Sequence, residues 1–110
     1  MESTSTTQDL TRRMLLELGF SPRHTGYRAL CLAIPSYARN SSQSITKELY
    51  PSIKRQYGYD QTSAVERHIR YTISDAWEHG NPEEWKRYFP RNRKAPSNLV
   101  FIATMAEYLK

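Results

Sequence analysis

The stretch that decides the fold is "TSAVERHIRYTISDAW", residues 62–77. Stepping about 100° per residue from Val65 gathers Val65, Ile69, Ile73, Ala76 and Trp77 into one arc of about 120°. Ser63, Arg67, Arg70, Tyr71 and Ser74 fall on the opposite side, with Glu66 and His68 at the boundary. A helix of this pattern buries its apolar arc and turns its hydroxyls and guanidiniums to solvent. It should run from about Thr62 to His79 and stop at Gly80, with Trp77 buried beneath it. A shorter helix and the turn "GYDQ", residues 58–61, precede it. A helix, a short Gly turn and a longer helix with a polar leading face make the sequence form of a helix-turn-helix.

The outward residue types suit base reading. Arginine donates a bidentate pair to guanine O6 and N7, and glutamate accepts from cytosine N4. Arg67, Arg70 and Glu66 are therefore the candidate base contacts. Ser63, Ser74 and Tyr71 are candidates for phosphate or base. The bland alternative is a solvated face on which Glu66 pairs with Arg70 at i, i+4. Lys86, Arg87, Arg91, Arg93 and Lys94 lie close together without one acid among them. Such a loop suits phosphate contacts, which position a protein without reading sequence. Its bland alternative is a solvated basic loop. Arg91, Arg93 and Lys94 are the residues assigned to phosphate.

The rest of the chain reads as helix punctuated by glycine and proline. Residues 1–6 form a polar lead-in expected to be disordered. A first helix over about Thr7–Leu18 carries Leu10, Met14, Leu15 and Leu18 on one side and ends at Gly19. A second, about Arg23–Arg39, places Tyr27, Leu30, Cys31, Ile34, Tyr37 and Ala38 at helical spacing, and Pro35 inside it predicts a kink. "SITKELYPSIKRQYG" should divide at Pro51 into a short helix and one begun by that proline. Pro82 opens "PEEWKRYF". Ser97 caps the last helix, whose stripe is Ile102, Met105, Ala106 and Leu109. No segment alternates with period two, so the fold class is all-α with about six helices. At 110 residues the chain should form one domain, 1–110.

Composition narrows the function classes. Sixteen Lys and Arg against eleven Asp and Glu give a net charge of +5, which favours an acidic partner and nucleic acid first. Cys31 is the single cysteine, so no internal disulfide forms, and its apolar neighbours suggest a buried thiol. No run approaches the ~20 apolar residues of a membrane span. The polar N-terminus lacks a signal-peptide core, so a cytoplasmic location is expected. His24, His68 and His79 have no ligand partners at metal spacing, and no Gly-rich phosphate loop or nucleophile–base arrangement is present. No metal, cofactor or enzymatic activity is expected.

Several motifs together resemble the C-terminal DNA-binding (transactivation) domain of the sporulation initiation response regulator family of endospore-forming bacteria. They are "SITKELYPSI" at 44–53, "VERHIR" at 65–70, "AWEHGN" at 76–81, "GYRALCLAI" at 26–34 and "KAPSNLVFIATMAEYL" at 94–109. The likeness spans about residues 19–110. It implies six helices, with a helix-turn-helix formed by the third and fourth. It implies binding of double-stranded DNA at a short box similar to TGTCGAA, commonly as head-to-tail pairs, with Glu66, Arg67 and Arg70 at the bases. It implies contact between residues 81–89 and the RNA polymerase sigma subunit. Two positions depart from the pattern: Ala64 stands where the family usually has arginine, and Tyr71 where it has histidine. About twenty residues precede the likeness, too few for the family's receiver domain, so either an excised domain or a stand-alone protein is expected. The rival reading is a receiver-less protein-interaction module that binds a response regulator or the sigma subunit without reading DNA.

Overall fold

Caps and apolar stripes set the element boundaries. The computed structural model describes residues 2–110, with side chains from residue 6 onward. In chain order the elements are α1 (Glu2–Leu18), α2 (Thr25–Arg39), a π-helical turn (Ile45–Leu49), α3 (Tyr50–Tyr57), α4 (Thr62–His79), α5 (Pro82–Tyr88) and α6 (Asn98–Glu107). Among the described residues there is no strand, so the fold is all-α.

Several boundaries follow the sequence closely. Asn81 caps α5 by accepting from the Glu83 N–H at 3.1 Å. Ser97 caps α6 by accepting from the Val100 N–H at 3.2 Å. Pro51 does divide its segment. Lacking an N–H, it cannot bond back to Lys47, and the turn before it is wide: the Leu49 N–H donates to the Ser44 carbonyl at 3.0 Å, five residues back.

Others differ. α1 begins at Glu2, ahead of the expected Thr7, so residues 2–6 of the polar lead-in are in helix. Neither Gly nor Pro interrupts that stretch, and a formed helix propagates cheaply beyond its apolar stripe. α2 begins at Thr25, because His24 is still extended at φ −72° and ψ 135°. α2 continues through the buried Pro35 to Arg39.

One core joins the helices. Met14, Leu15 and Leu18 of α1 meet Leu30, Ala33 and Ile34 of α2, Ile53 of α3, Ile69 and Ile73 of α4, and Phe101, Ile102 and Met105 of α6. All are at most 5% exposed. α2 is the central helix, packed on α1, α4 and α6. Its approach to α4 is at backbone contact: a Cβ on Gly26 would stand 2.2 Å from the His68 carbonyl oxygen. Only glycine permits that crossing, and it fixes where the middle of α4 sits.

Two core assignments need correction. Trp77 is half-buried, and Trp85 of α5 takes the buried place at 2% exposed. The Trp85 indole Nε1–H donates to the Ala76 carbonyl at 3.0 Å. Trp77 stands at the edge of the apolar arc and meets Trp85 edge-on, with centroids 5.2 Å apart. Cys31 is likewise half-buried. Its side chain lies beside Tyr27 and Arg12 at a small cleft between α1, α2 and α3.

Candidate nucleic-acid interface

The turn between α3 and α4 is built on Gly58. It ends α3 in the left-handed region, φ 70° and ψ 32°. The N–H groups of Gly58 and Tyr59 both donate to the Lys54 carbonyl, which closes the helix end. Extended Gln61 then leads into α4, and the Ser63 hydroxyl donates to Gln61 Oε1 at 3.2 Å.

Burial orients α4. Val65, Ile69, Ile73 and Ala76 are at most 1% exposed, and Thr72 joins them. Ser63, Arg67, Arg70, Tyr71 and Ser74 are consequently exposed, with Glu66 half-buried beside them. The ion pair of the bland reading exists. Arg70 Nε lies 3.0 Å from Glu66 Oε2, and Arg70 Nη2 lies 3.4 Å from Oε1. Hydrogen bonding to Glu66 raises the Arg70 pKa above its ordinary value, so the guanidinium is charged at every accessible pH. The Glu66 carboxylate thus engages the Nε and Nη2 edge of the guanidinium. Arg70 also lies over the Tyr71 ring, 5.1 Å from its centroid. Arg67 has no carboxylate partner among the described residues.

The basic loop reaches the same face. A groove of about 770 Å³ runs along the first turns of α4, lined there by Ser63, Glu66, Arg70 and Ser74. Lys94 of the basic loop and Thr46 of the π-helical turn line it as well. Arg91 and Arg93 are exposed on the same loop but do not line the groove. Of the nine sequence-chosen residues, Ser63, Glu66, Arg70, Ser74 and Lys94 thus line the groove, Arg67 and Tyr71 are exposed on α4 outside its lining, and Arg91 and Arg93 lie outside it on the loop.

What holds the two walls together is Asn98, which the sequence reading missed. It is 6% exposed at the start of α6. Its Nδ2 donates to the Tyr50 hydroxyl at 3.1 Å and to the Glu66 carbonyl at 3.0 Å. One side chain therefore joins α6, α3 and the Glu66 turn of α4, with Lys94 four residues upstream of it. Burial raises the Tyr50 pKa, so its hydroxyl stays protonated at neutral pH. The available sequence signal was a lone amide at the head of a strongly apolar helix, next to the Ser97 cap.

With this geometry in place, the comparison with known families is decisive. The family model described as sporulation initiation factor Spo0A C terminal matches residues 11–109. The chain belongs to this family. The match takes in α2 to α6 whole and the C-terminal part of α1, so the groove, the α3–α4 turn and the loop bearing Lys94 all lie within the Spo0A C-terminal region. Among the described residues no three of His, Cys, Asp and Glu gather as metal ligands, and no helix is long and apolar enough to cross a membrane.

Proposed function

We propose that this Spo0A C-terminal family member is a sequence-specific double-stranded DNA-binding domain of a transcription regulator. α3, the Gly58 turn and α4 act as a helix-turn-helix, and α4 enters the major groove. The observation that carries this is the groove in which Ser63, Arg70 and Ser74 of α4 face Lys94 across a cleft with its opposite, apolar helix face fully buried. A helix so oriented offers base-reading groups from its first half while an adjoining cation meets phosphate.

Arg67 and Arg70 read base edges. Glu66 presents Arg70 by gripping one edge of its guanidinium, and a bidentate guanine contact uses the other. Ser63, Ser74 and Tyr71 complete the α4 contacts. Arg91, Arg93 and Lys94 hold phosphate. The domain acts in the cytoplasm, pairs head to tail on DNA, and offers α5 to the RNA polymerase sigma subunit. Exposed Glu83, Lys86 and Arg87 on α5 suit a polar partner surface.

Selection of bound sequences from a random duplex pool, followed by salt titration on the winner, tests the reading. A recovered consensus with a steep inverse dependence on salt supports it. A pool that stays random, with affinity indifferent to salt, would replace it with the protein-interaction module.

A further inference from the structure

A second basic groove lies on the other flank of α4, and the function above does not use it. It holds about 390 Å³ and brings together Arg23, His24, Thr25 and Arg28 of the α2 entry, Tyr59 of the turn and His68 of α4. No carboxylate lines it. Among the described residues neither Arg23 nor Arg28 is paired with an acid. The Arg28 guanidinium is held over the Tyr57 ring at 4.3 Å, which fixes it at the rim. The His68 Nδ1 lies 3.3 Å from the Tyr59 hydroxyl, which orients both.

Two further features point to an anion. His24 gives α2 no side-chain cap, and the first turn of α2 contains no acid, so no carboxylate compensates the positive helix end, where Thr25 is exposed. The His24 Nδ1 is itself buried without a hydrogen-bond partner.

The position of the groove says which anion. Around α4, at about 100° per residue, Ser63, Glu66, Arg70 and Ser74 border the Lys94 groove, His68 borders the second groove, and Arg67 and Tyr71 project between. A helix about 10–12 Å across nearly fills a major groove about 12 Å wide, so a phosphate strand runs along each flank. We propose that the second groove is the cradle for the DNA backbone strand opposite the one held by Lys94. Arg23 and Arg28 supply the charge, and exposed Thr25 supplies its hydroxyl and backbone N–H as donors to the phosphate oxygens. This rests on the DNA-binding function proposed above and adds to it that both strands are gripped.

The test is salt titration of the intact chain on the selected duplex and on an unrelated one, with wild type, Arg23→Ala, Arg28→Gln and Arg28→Lys. Arg23→Ala and Arg28→Gln should each flatten the slope of log K against log salt by about 0.9 and weaken both duplexes by the same factor, with base preference kept. Arg28→Lys should retain the slope, because it keeps the charge while losing the planar stack on Tyr57. Unchanged slopes in Arg23→Ala and Arg28→Gln, beside a slope that flattens in Lys94→Ala, overturn the second cradle and leave the first standing. A slope lost equally in Arg28→Gln and Arg28→Lys shows that Arg28 only supports the fold, and also overturns it. Titration with inorganic phosphate separates the sources. Saturable amide shifts at Thr25 and Gly26 without any effect of the variants on duplex binding would mean a free phosphate ligand and refute the strand assignment. A wild-type chain that binds no duplex sinks the proposed function together with this extension.

Discussion

Replacing Asn98 by alanine should damage the fold and the groove together. The side chain is 6% exposed and makes two hydrogen bonds, at 3.1 and 3.0 Å, to groups on two other helices. Each such bond contributes about 1 kcal/mol net, and leaving the Tyr50 hydroxyl buried without its donor adds a desolvation cost of similar size. The total is about 2–3 kcal/mol, a substantial part of the ~5–15 kcal/mol that stabilises a domain of this size. A loss of that order lowers the melting temperature by about 10 °C or more. Thermal and urea unfolding read the stability. Binding to the selected duplex, measured well below the melting point, reads the groove. Affinity should fall as well, because Asn98 ties the segment carrying Lys94 to the Glu66 turn of α4. Asn98→Asp should be at least as harmful, since it puts an acceptor where the Glu66 carbonyl requires a donor. A melting temperature within about 2 °C of wild type for Asn98→Ala would refute the argument that this amide joins the two walls.

Arg67→Ala and Arg70→Ala should each leave the melting curve nearly unchanged while lowering affinity for the selected duplex by roughly ten- to a hundredfold and relaxing preference at one base pair; full affinity and preference in both would end the base-reading role of this face. Trp85→Ala should cost about 3–5 kcal/mol and Trp77→Ala clearly less, because Trp85 is buried with its indole N–H bonded and Trp77 is only half-buried; equal losses in denaturant unfolding would contradict the assignment of the core tryptophan. Burial pushes the Tyr27 phenol up to about 12 from an ordinary 10, so the folded state holds this proton more tightly than the unfolded chain. Its contribution should be complete below pH about 10 and lost as the pH rises toward 12. Replacing Tyr27 by phenylalanine should therefore flatten the fall in stability over that window, and an identical pH profile would exclude Tyr27 as a source.

The family motifs, the all-α class and the orientation of α4 were legible in the sequence because each is a local property. Val65, Ile69, Ile73 and Ala76 recur at the helical period, so burying them turns Ser63, Arg67 and Arg70 outward whatever else the chain does. Gly58, Pro51, Pro82 and Ser97 marked element ends because their backbone or side-chain chemistry acts within a few residues. Tertiary structure decided what those faces meet. Periodicity puts Trp77 at the edge of an arc, but only the return of α5 shows that Trp85 fills the space beneath. Composition groups Arg91, Arg93 and Lys94 in one loop, but only the packing of α6 on α4 brings Lys94 to the groove and leaves the two arginines outside its lining. Asn98 and Glu66 are 32 residues apart, and Arg23 and His68 meet only because Gly26 lets α2 cross α4 at backbone contact. Such juxtapositions depend on three-dimensional packing between distant segments, which a reading of local spacing does not contain.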